Sequence, residues 1–150
     1  MPVLNNPHDD EELKAVRESQ EDPIVQYYVV RKSLKMSEGK LAAQVAHASM
    51  IFTLAFKELE DKIMKTFAVQ RGGASYSRYR LCKKWFDGSF RKITKKASDA
   101  KFEKIKEEID CYVVKDAGLT EVETGSETVL VTYPMYRSQC PPVLHKLQNL

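Results

Sequence analysis

The stretch that most restricts the fold is Ile24-Val25-Gln26-Tyr27-Tyr28-Val29-Val30-Arg31, an apolar and β-branched run of strand length. A strand wetted on one face alternates polar and apolar residues, so a run that is apolar at both parities reads as a strand covered on both faces. Helices are the natural cover, and one follows at once. Ser37 is an N-cap residue type with Lys40 at the third helical position, and Leu41, Val45, Ala48, Phe52, Phe56 and Leu59 recur at helical spacing. A doubly covered strand beside an amphipathic helix selects a layered α/β arrangement.

The remaining elements extend that pattern. Residues 61–88 read as a helix with Ile63, Met64 and Phe67, a hinge at Gly72-Gly73, and a second short helix with Leu81, Trp85 and Phe86. Residues 90–97 alternate as a strongly basic, peripheral strand. Ser98 opens a helix with Phe102, Ile105 and Ile109 on one face, and Cys111–Lys115 and Thr128–Tyr133 are strands. Pro142–Leu147 is a short closing helix. Helical crossovers between strands, and a short link between the last two, predict a single layered α/β domain: a mixed four-stranded sheet flanked by helices.

That domain is expected over residues 24–150. Residues 1–23 hold Asp9, Asp10, Glu11, Glu12, Glu18, Glu21 and Asp22 against Lys14 and Arg17, with few large apolar side chains. Such a composition buries too little surface to offset ordering entropy, so this segment is expected to be an acidic, mobile leader. Residues 62–106 show the opposite bias, with fourteen basic residues against three acidic ones. A basic block suits a polyanion, because each neutralised phosphate releases counterions; a solvated lysine-rich surface is the plainer alternative. No run reaches the roughly 18–20 apolar residues of a membrane helix and no signal-peptide pattern opens the chain, so a cytoplasmic protein without membrane contact is expected. Cys82, Cys111 and Cys140 form no close pair and are expected to be reduced, structural thiols.

Several chemistries fail on their own motifs. A phosphate loop ending at Gly39-Lys40 needs glycine at position 34 and Ser or Thr at position 41, where Leu34 and Leu41 stand. No GxGxxG follows a strand, no GxSxG elbow occurs, and His8, His47 and His145 are too scattered for metal-ligand spacing. What remains is a polar stripe, Lys40, Gln44 and His47 at i, i+4 and i+7, on an otherwise alanine-rich and apolar helix. Taken singly these residues also fit ordinary roles: a surface cation, a core amide and a buried imidazole. Asp116, Thr120 and Thr128 likewise suit turns and strand ends.

Two segments join these pieces: Lys35-Met36-Ser37-Glu38-Gly39-Lys40-Leu41-Ala42-Ala43-Gln44-Val45-Ala46-His47-Ala48, and Asp116-Ala117-Gly118-Leu119-Thr120-Glu121 through Gly125-Ser126-Glu127-Thr128-Val129-Leu130. In order and spacing they resemble the type II peptidyl-tRNA hydrolase family, over about residues 24–134. The resemblance implies a small α/β enzyme, with no metal or organic cofactor. It would hydrolyse the ester between a peptide, or an N-blocked aminoacyl group, and the tRNA 3′ ribose. It assigns catalytic positions to Lys40, Asp116, Thr120 and Thr128, with Gln44 and His47 in support. In such an enzyme Asp116 would orient or deprotonate water, Lys40 would stabilise negative charge, and the threonines would hold water or substrate. Lys83, Lys84, Arg91, Lys92, Lys95 and Lys96 become the expected track for tRNA phosphates.

Three departures stand out. Glu121 replaces a glutamine usual in the family, and a carboxylate close to Asp116 would raise one of the two pKa values. The ending from Tyr133 through Pro142 and the Gly72-Gly73 region with its Tyr/Arg repeats are also unlike the family pattern. A catalytically weak tRNA- or ribosome-binding module on the same fold is therefore the alternative, and a protein-binding adaptor with a solvated lysine face is a second. An exposed apolar face on the first helix would suit a homodimer.

Overall fold

Strand β1 (Ile24–Arg31) is the middle strand of the sheet, and all of its residues but Arg31 are buried. The computed structural model describes residues 22–65, 74–119 and 121–150. Ile24, Tyr28 and Val30 face the layer of α1 (Glu38–Lys65) and α2 (Ala74–Asp87). Val25, Tyr27 and Val29 face α3 (Asp99–Glu108) and α4 (Pro142–His145). The run that is apolar at both parities thus fills two cores, one on each side of the sheet.

The other strands are β2 (Lys92–Ala97), β3 (Cys111–Lys115), β4 (Glu127–Thr132), β5 (Met135–Tyr136) and β6 (Gln148–Asn149). Their order is β3-β4-β1-β2-β6, with β5 paired to the start of β1. Only β1 and β2 run parallel; the other pairings are antiparallel. The sheet is mixed, as expected, but has six strands and not four. The two additions are two-residue pairings: β5 resumes along the edge of β1 just after β4, and β6 caps the outer edge of β2. Segments so short carry no readable periodicity.

Helix α1 does not stop near Leu59 but continues to Lys65, taking in the Ile63 and Met64 assigned to a separate helix. Nothing between Leu59 and Lys65 is a glycine or proline that would break it. Phe67 and the expected Gly72-Gly73 hinge lie outside the described residues, as does the acidic leader up to residue 21. Asp22 and Pro23, counted with that leader, belong to the folded part. Asp22 accepts the Ser138 amide at 2.9 Å and its hydroxyl at 2.6 Å, and the Pro23 carbonyl accepts the Arg137 amide at 2.9 Å.

Aromatic packing seats α1 and α2 on the sheet. The Phe52 ring lies 6.1 Å from Trp85, 6.1 Å from Phe86 and 5.7 Å from Tyr133, while Phe56 stacks on Tyr79 at 5.8 Å. Burial pushes the Cys82 thiol up to about 12, and burial likewise raises Cys111 and Cys140; all three are free, which suits inert thiols.

Because β3 and β1 are both antiparallel to β4, and β2 is parallel to β1, the C-terminal ends of β1, β2 and β3 share one end of the sheet. In open α/β sheets ligands bind beyond the carboxyl ends of strands. Among the described residues no helix is long and apolar enough to cross a membrane.

Candidate active site

Asp116 follows β3 directly and opens a loop that closes on itself before β4. Its amide donates to the Ser126 carbonyl at 2.9 Å, and its carbonyl accepts the Gly125 amide at 2.7 Å. Inside the loop the Gly118 amide donates to Asp116 Oδ2 at 2.6 Å. Gly118 has φ +73°, and Thr124 occupies the space a Cβ there would need, so the turn admits no side chain.

Across from this loop stands the first turn of α1. Its N-cap is Ser37, whose Oγ accepts the Lys40 amide at 3.3 Å, as the sequence implies. Glu121 holds that cap from the other side. Its Oε2 accepts the Ser37 amide at 2.8 Å and its Oε1 accepts the Ser37 hydroxyl, which ties the Asp116 loop to the helix start. The two carboxylates have separate partners, and neither pKa is raised. Glu121 is turned to Ser37, whose hydroxyl and amide lower its pKa. Asp116 is also held below the ordinary carboxylate value, first by the hydrogen bond from Lys40 and then by the Gly118 amide.

The centre is a chain of hydrogen bonds. Lys40 Nζ donates to Asp116 Oδ1 at 2.6 Å, and Gln44 Nε2 donates to the same oxygen at 3.0 Å. The Thr128 hydroxyl donates to Gln44 Oε1 at 2.6 Å. The Lys40 and Asp116 side chains are 12% and 7% exposed, so the ion pair sits at the base of an opening and not on open surface. That opening is a cleft of about 570 Å³ lined by Lys40, Gln44, His47, Met50, Lys115, Asp116 and Leu119 among others.

Of the expected site residues, Lys40, Gln44, Asp116 and Thr128 are thus brought together. Thr128 is fully buried, and its hydroxyl donates to Gln44 Oε1. His47 is not the buried imidazole of the plainer reading; it is exposed on the cleft wall. Thr120 lies outside the described residues. Sequence reasoning passed over Met50 and Leu119, whose only signal was large apolar side chains next to the motif residues; they are 60% and 87% exposed. Among the described residues no three His, Cys, Asp or Glu side chains cluster to hold a metal.

A family model described as peptidyl-tRNA hydrolase PTH2 matches residues 24–150. The chain belongs to that family. Among its relatives, a protein of Thermococcus sibiricus named peptidyl-tRNA hydrolase is 34% identical over 115 residues, covering 73% of this chain and 82% of its own. Proteins with the same name from Methanopyrus kandleri and Haloquadratum walsbyi are each 36% identical, covering 70% and 73% of this chain and 79% and 84% of theirs.

The basic residues expected to track nucleic acid do not form one surface. Lys95 is buried, and its Nζ donates to the carbonyls of His145 at 3.3 Å and Leu147 at 3.0 Å, which removes it from any phosphate contact. Lys92 pairs in register with Gln26 near the start of β1, its ammonium over the Phe90 ring at 4.0 Å. Lys84 donates to the Tyr136 hydroxyl at 3.4 Å, and Lys83 pairs with Asp87 at 3.6 Å. Arg91 precedes Lys92, and its carbonyl accepts the Trp85 indole N–H at 2.9 Å. Those four belong to the end of the sheet away from Asp116. Lys96, level with Val30, stands at the Asp116 end.

Proposed function

We propose that the protein hydrolyses the ester between a peptide, or an N-blocked aminoacyl group, and the 3′ ribose of tRNA, releasing free tRNA. The observation that carries this reading is the convergence of Lys40 and Gln44 on Asp116 at the base of an open cleft, in a chain of this family.

Hydrolysis adds water across the acyl C–O bond. The water oxygen bonds to the carbonyl carbon, negative charge grows on the carbonyl oxygen, and the ribose oxygen leaves with a proton. Asp116 Oδ1 already accepts from Lys40 and Gln44 and Oδ2 from Gly118, which leaves one acceptor position on Oδ2 for a water proton. With its pKa held low, Asp116 is a weak base, so its part is to orient the water. Lys40 spends one of its three N–H donors on Asp116 and offers the others to the developing oxyanion. His47, on the cleft wall, is the group able to hand a proton to the departing ribose oxygen. Thr120 is retained as a candidate for holding water or substrate.

Around this chemistry, the working unit is the expected domain of residues 24–150 together with Asp22 and Pro23, with residues 1–21 as a separate acidic leader. Lys96, together with Lys83, Lys84, Arg91 and Lys92, supplies charge for tRNA. A substrate of translation places the work in the cytoplasm. Leu54 and Met64, 61% and 60% exposed on α1, support a homodimer through that helix; a monomer mass in sedimentation equilibrium would remove that part.

The test is release of labelled N-acetyl-aminoacyl groups from tRNA by the purified protein, with chelator present. Turnover should survive the chelator, fall about 10²–10⁴-fold in Asp116→Asn, and fall about 10²–10³-fold in Lys40→Ala. Wild-type protein that binds tRNA with a steep salt slope yet releases nothing would be the binding module instead.

A further inference from the structure

Four lysines converge beyond the C-terminal ends of β1 and β2. Lys32 follows β1, Lys96 lies near the end of β2, Lys101 is in the first turn of α3, and Lys146 precedes β6. With Ser98 and Gln148 they line a pocket of about 340 Å³. Among the described residues none of the four ammonium groups pairs with a carboxylate. The acidic groups nearest in the chain are already engaged: Asp99 by Arg31 and Ser33, and Glu103 by Arg31 and Lys106. Like charges that share a concavity without counter-charges repel one another, and a bound polyanion relieves that repulsion. Ser98 is the N-cap of α3, so the positive end of that helix adds to the field.

The sheet register locates this pocket relative to Asp116. Lys96 pairs with Val30, Val30 with Val129, and Val129 with Val114, two residues before Asp116. Three inter-strand steps of about 4.8 Å put Lys96 roughly 14 Å across the sheet from Val114, and the two further residues add roughly 7 Å along the strand, so Lys96 and Asp116 are roughly 16 Å apart along the backbone frame. A span of that size is covered by a few nucleotides of single strand.

We propose that the pocket of Lys32, Lys96, Lys101 and Lys146 holds backbone phosphate of the tRNA acceptor strand, a few nucleotides from the terminal ribose. This rests on the hydrolase reading above and adds the contact that sets the 3′ end in register with Asp116. Phosphate contacts of this kind position without reading bases, as suits a substrate general in its tRNA body.

The experiment compares wild type, the double variant Lys101→Ala/Lys146→Ala, and a control double variant Lys57→Ala/Lys104→Ala of equal charge change. Affinities for deacylated tRNA and for an acceptor-stem minihelix ending in CCA are measured as salt rises fourfold. Losing two phosphate contacts should flatten the slope by about 1.4–1.8, so wild type should lose about tenfold more affinity than the pocket variant over that range. The control should keep the wild-type slope with both RNAs. A pocket variant with the wild-type slope overturns the proposal, as does an equal effect in the control. A change with whole tRNA but not with the minihelix overturns the acceptor-strand assignment. Saturable binding of inorganic phosphate, lost in the pocket variant while the RNA slopes stay unchanged, would make this a small-anion site and likewise overturn it. Wild-type turnover of N-acetyl-aminoacyl-tRNA is measured alongside. Its absence would fell the hydrolase reading whatever the slopes do, and its presence with unchanged slopes would fell only the pocket.

Discussion

The Thr128 hydroxyl donates to the Gln44 side-chain carbonyl at 2.6 Å, and this bond decides which end of the Gln44 amide faces Asp116. An amide has two nearly isosteric ends, one accepting and one donating. With the oxygen held by Thr128, the NH₂ must point to the carboxylate, where it donates at 3.0 Å. Thr128→Val keeps the shape but leaves a buried Gln44 oxygen unpaired. It should cost about 1–3 kcal/mol of stability and lower kcat by up to about tenfold. Thr128→Ser should recover most of both. Thermal melts and single-turnover rates on the three proteins check this, and a Val variant indistinguishable from wild type would contradict it.

The ion pair makes a prediction about pH. Asp116 is depressed chiefly by the hydrogen bond from Lys40, and in the proposed reaction its ionised form is the working one. A carboxylate depressed in the folded state contributes stability above its unfolded pKa and loses it as pH falls through the lower folded value. Activity should follow the same sign, so the acid limb of kcat/KM in wild type should lie below the ordinary carboxylate value of about 3.9. In Lys40→Ala the residual activity should show that limb moved upward. Coincident limbs in the two proteins would show that Lys40 does not control the Asp116 charge.

Gly118 tests the loop. With φ at +73° and Thr124 against the missing Cβ, Gly118→Ala should cost about 1–3 kcal/mol. It should also lower turnover, because the amide that binds Asp116 Oδ2 moves with it. Gly125 has φ +82° but open space around it, so Gly125→Ala should carry strain without the collision. Urea unfolding of both variants should rank Gly118→Ala as the more damaging; the reverse order would argue against the close packing on Thr124.

Phe52 is 1% exposed and within ring contact of Trp85, Phe86, Tyr112 and Tyr133. Phe52→Ala should lower stability by about 3–5 kcal/mol, read as a shift in denaturant midpoint. A loss below about 1 kcal/mol would mean that α1 is seated by something other than this cluster.

Local spacing made much of the architecture legible. The doubly apolar β1, the Ser37 cap, the 3.6-residue repeat of α1 and the Ser98 cap of α3 are short-range patterns, and each element formed where its pattern lay. The two-residue strands β5 and β6 were not legible, since they exist only because β1 and β2 offer an unpaired edge. The basic block of residues 62–106 misled for a related reason. Charge counting does not say which face of β2 a lysine takes, and alternation turns Lys95 inward to the His145 and Leu147 carbonyls while Lys96, paired with Val30, takes the other face.

By itself the sequence determined which groups are available and which share a helix face: Lys40 and Gln44 are one helical turn apart, and that spacing needs no partner to be real. Only the tertiary structure decided what they face. Asp116 lies 76 residues beyond Lys40, Glu121 lies 84 beyond Ser37 and Thr128 lies 84 beyond Gln44, and strand register brings each pair to bonding distance. The same register swings Lys32, Lys96, Lys101 and Lys146 to one pocket from four separate elements. Helical periodicity follows from local backbone geometry, whereas these meetings follow from how β-strands pair and which faces they bury.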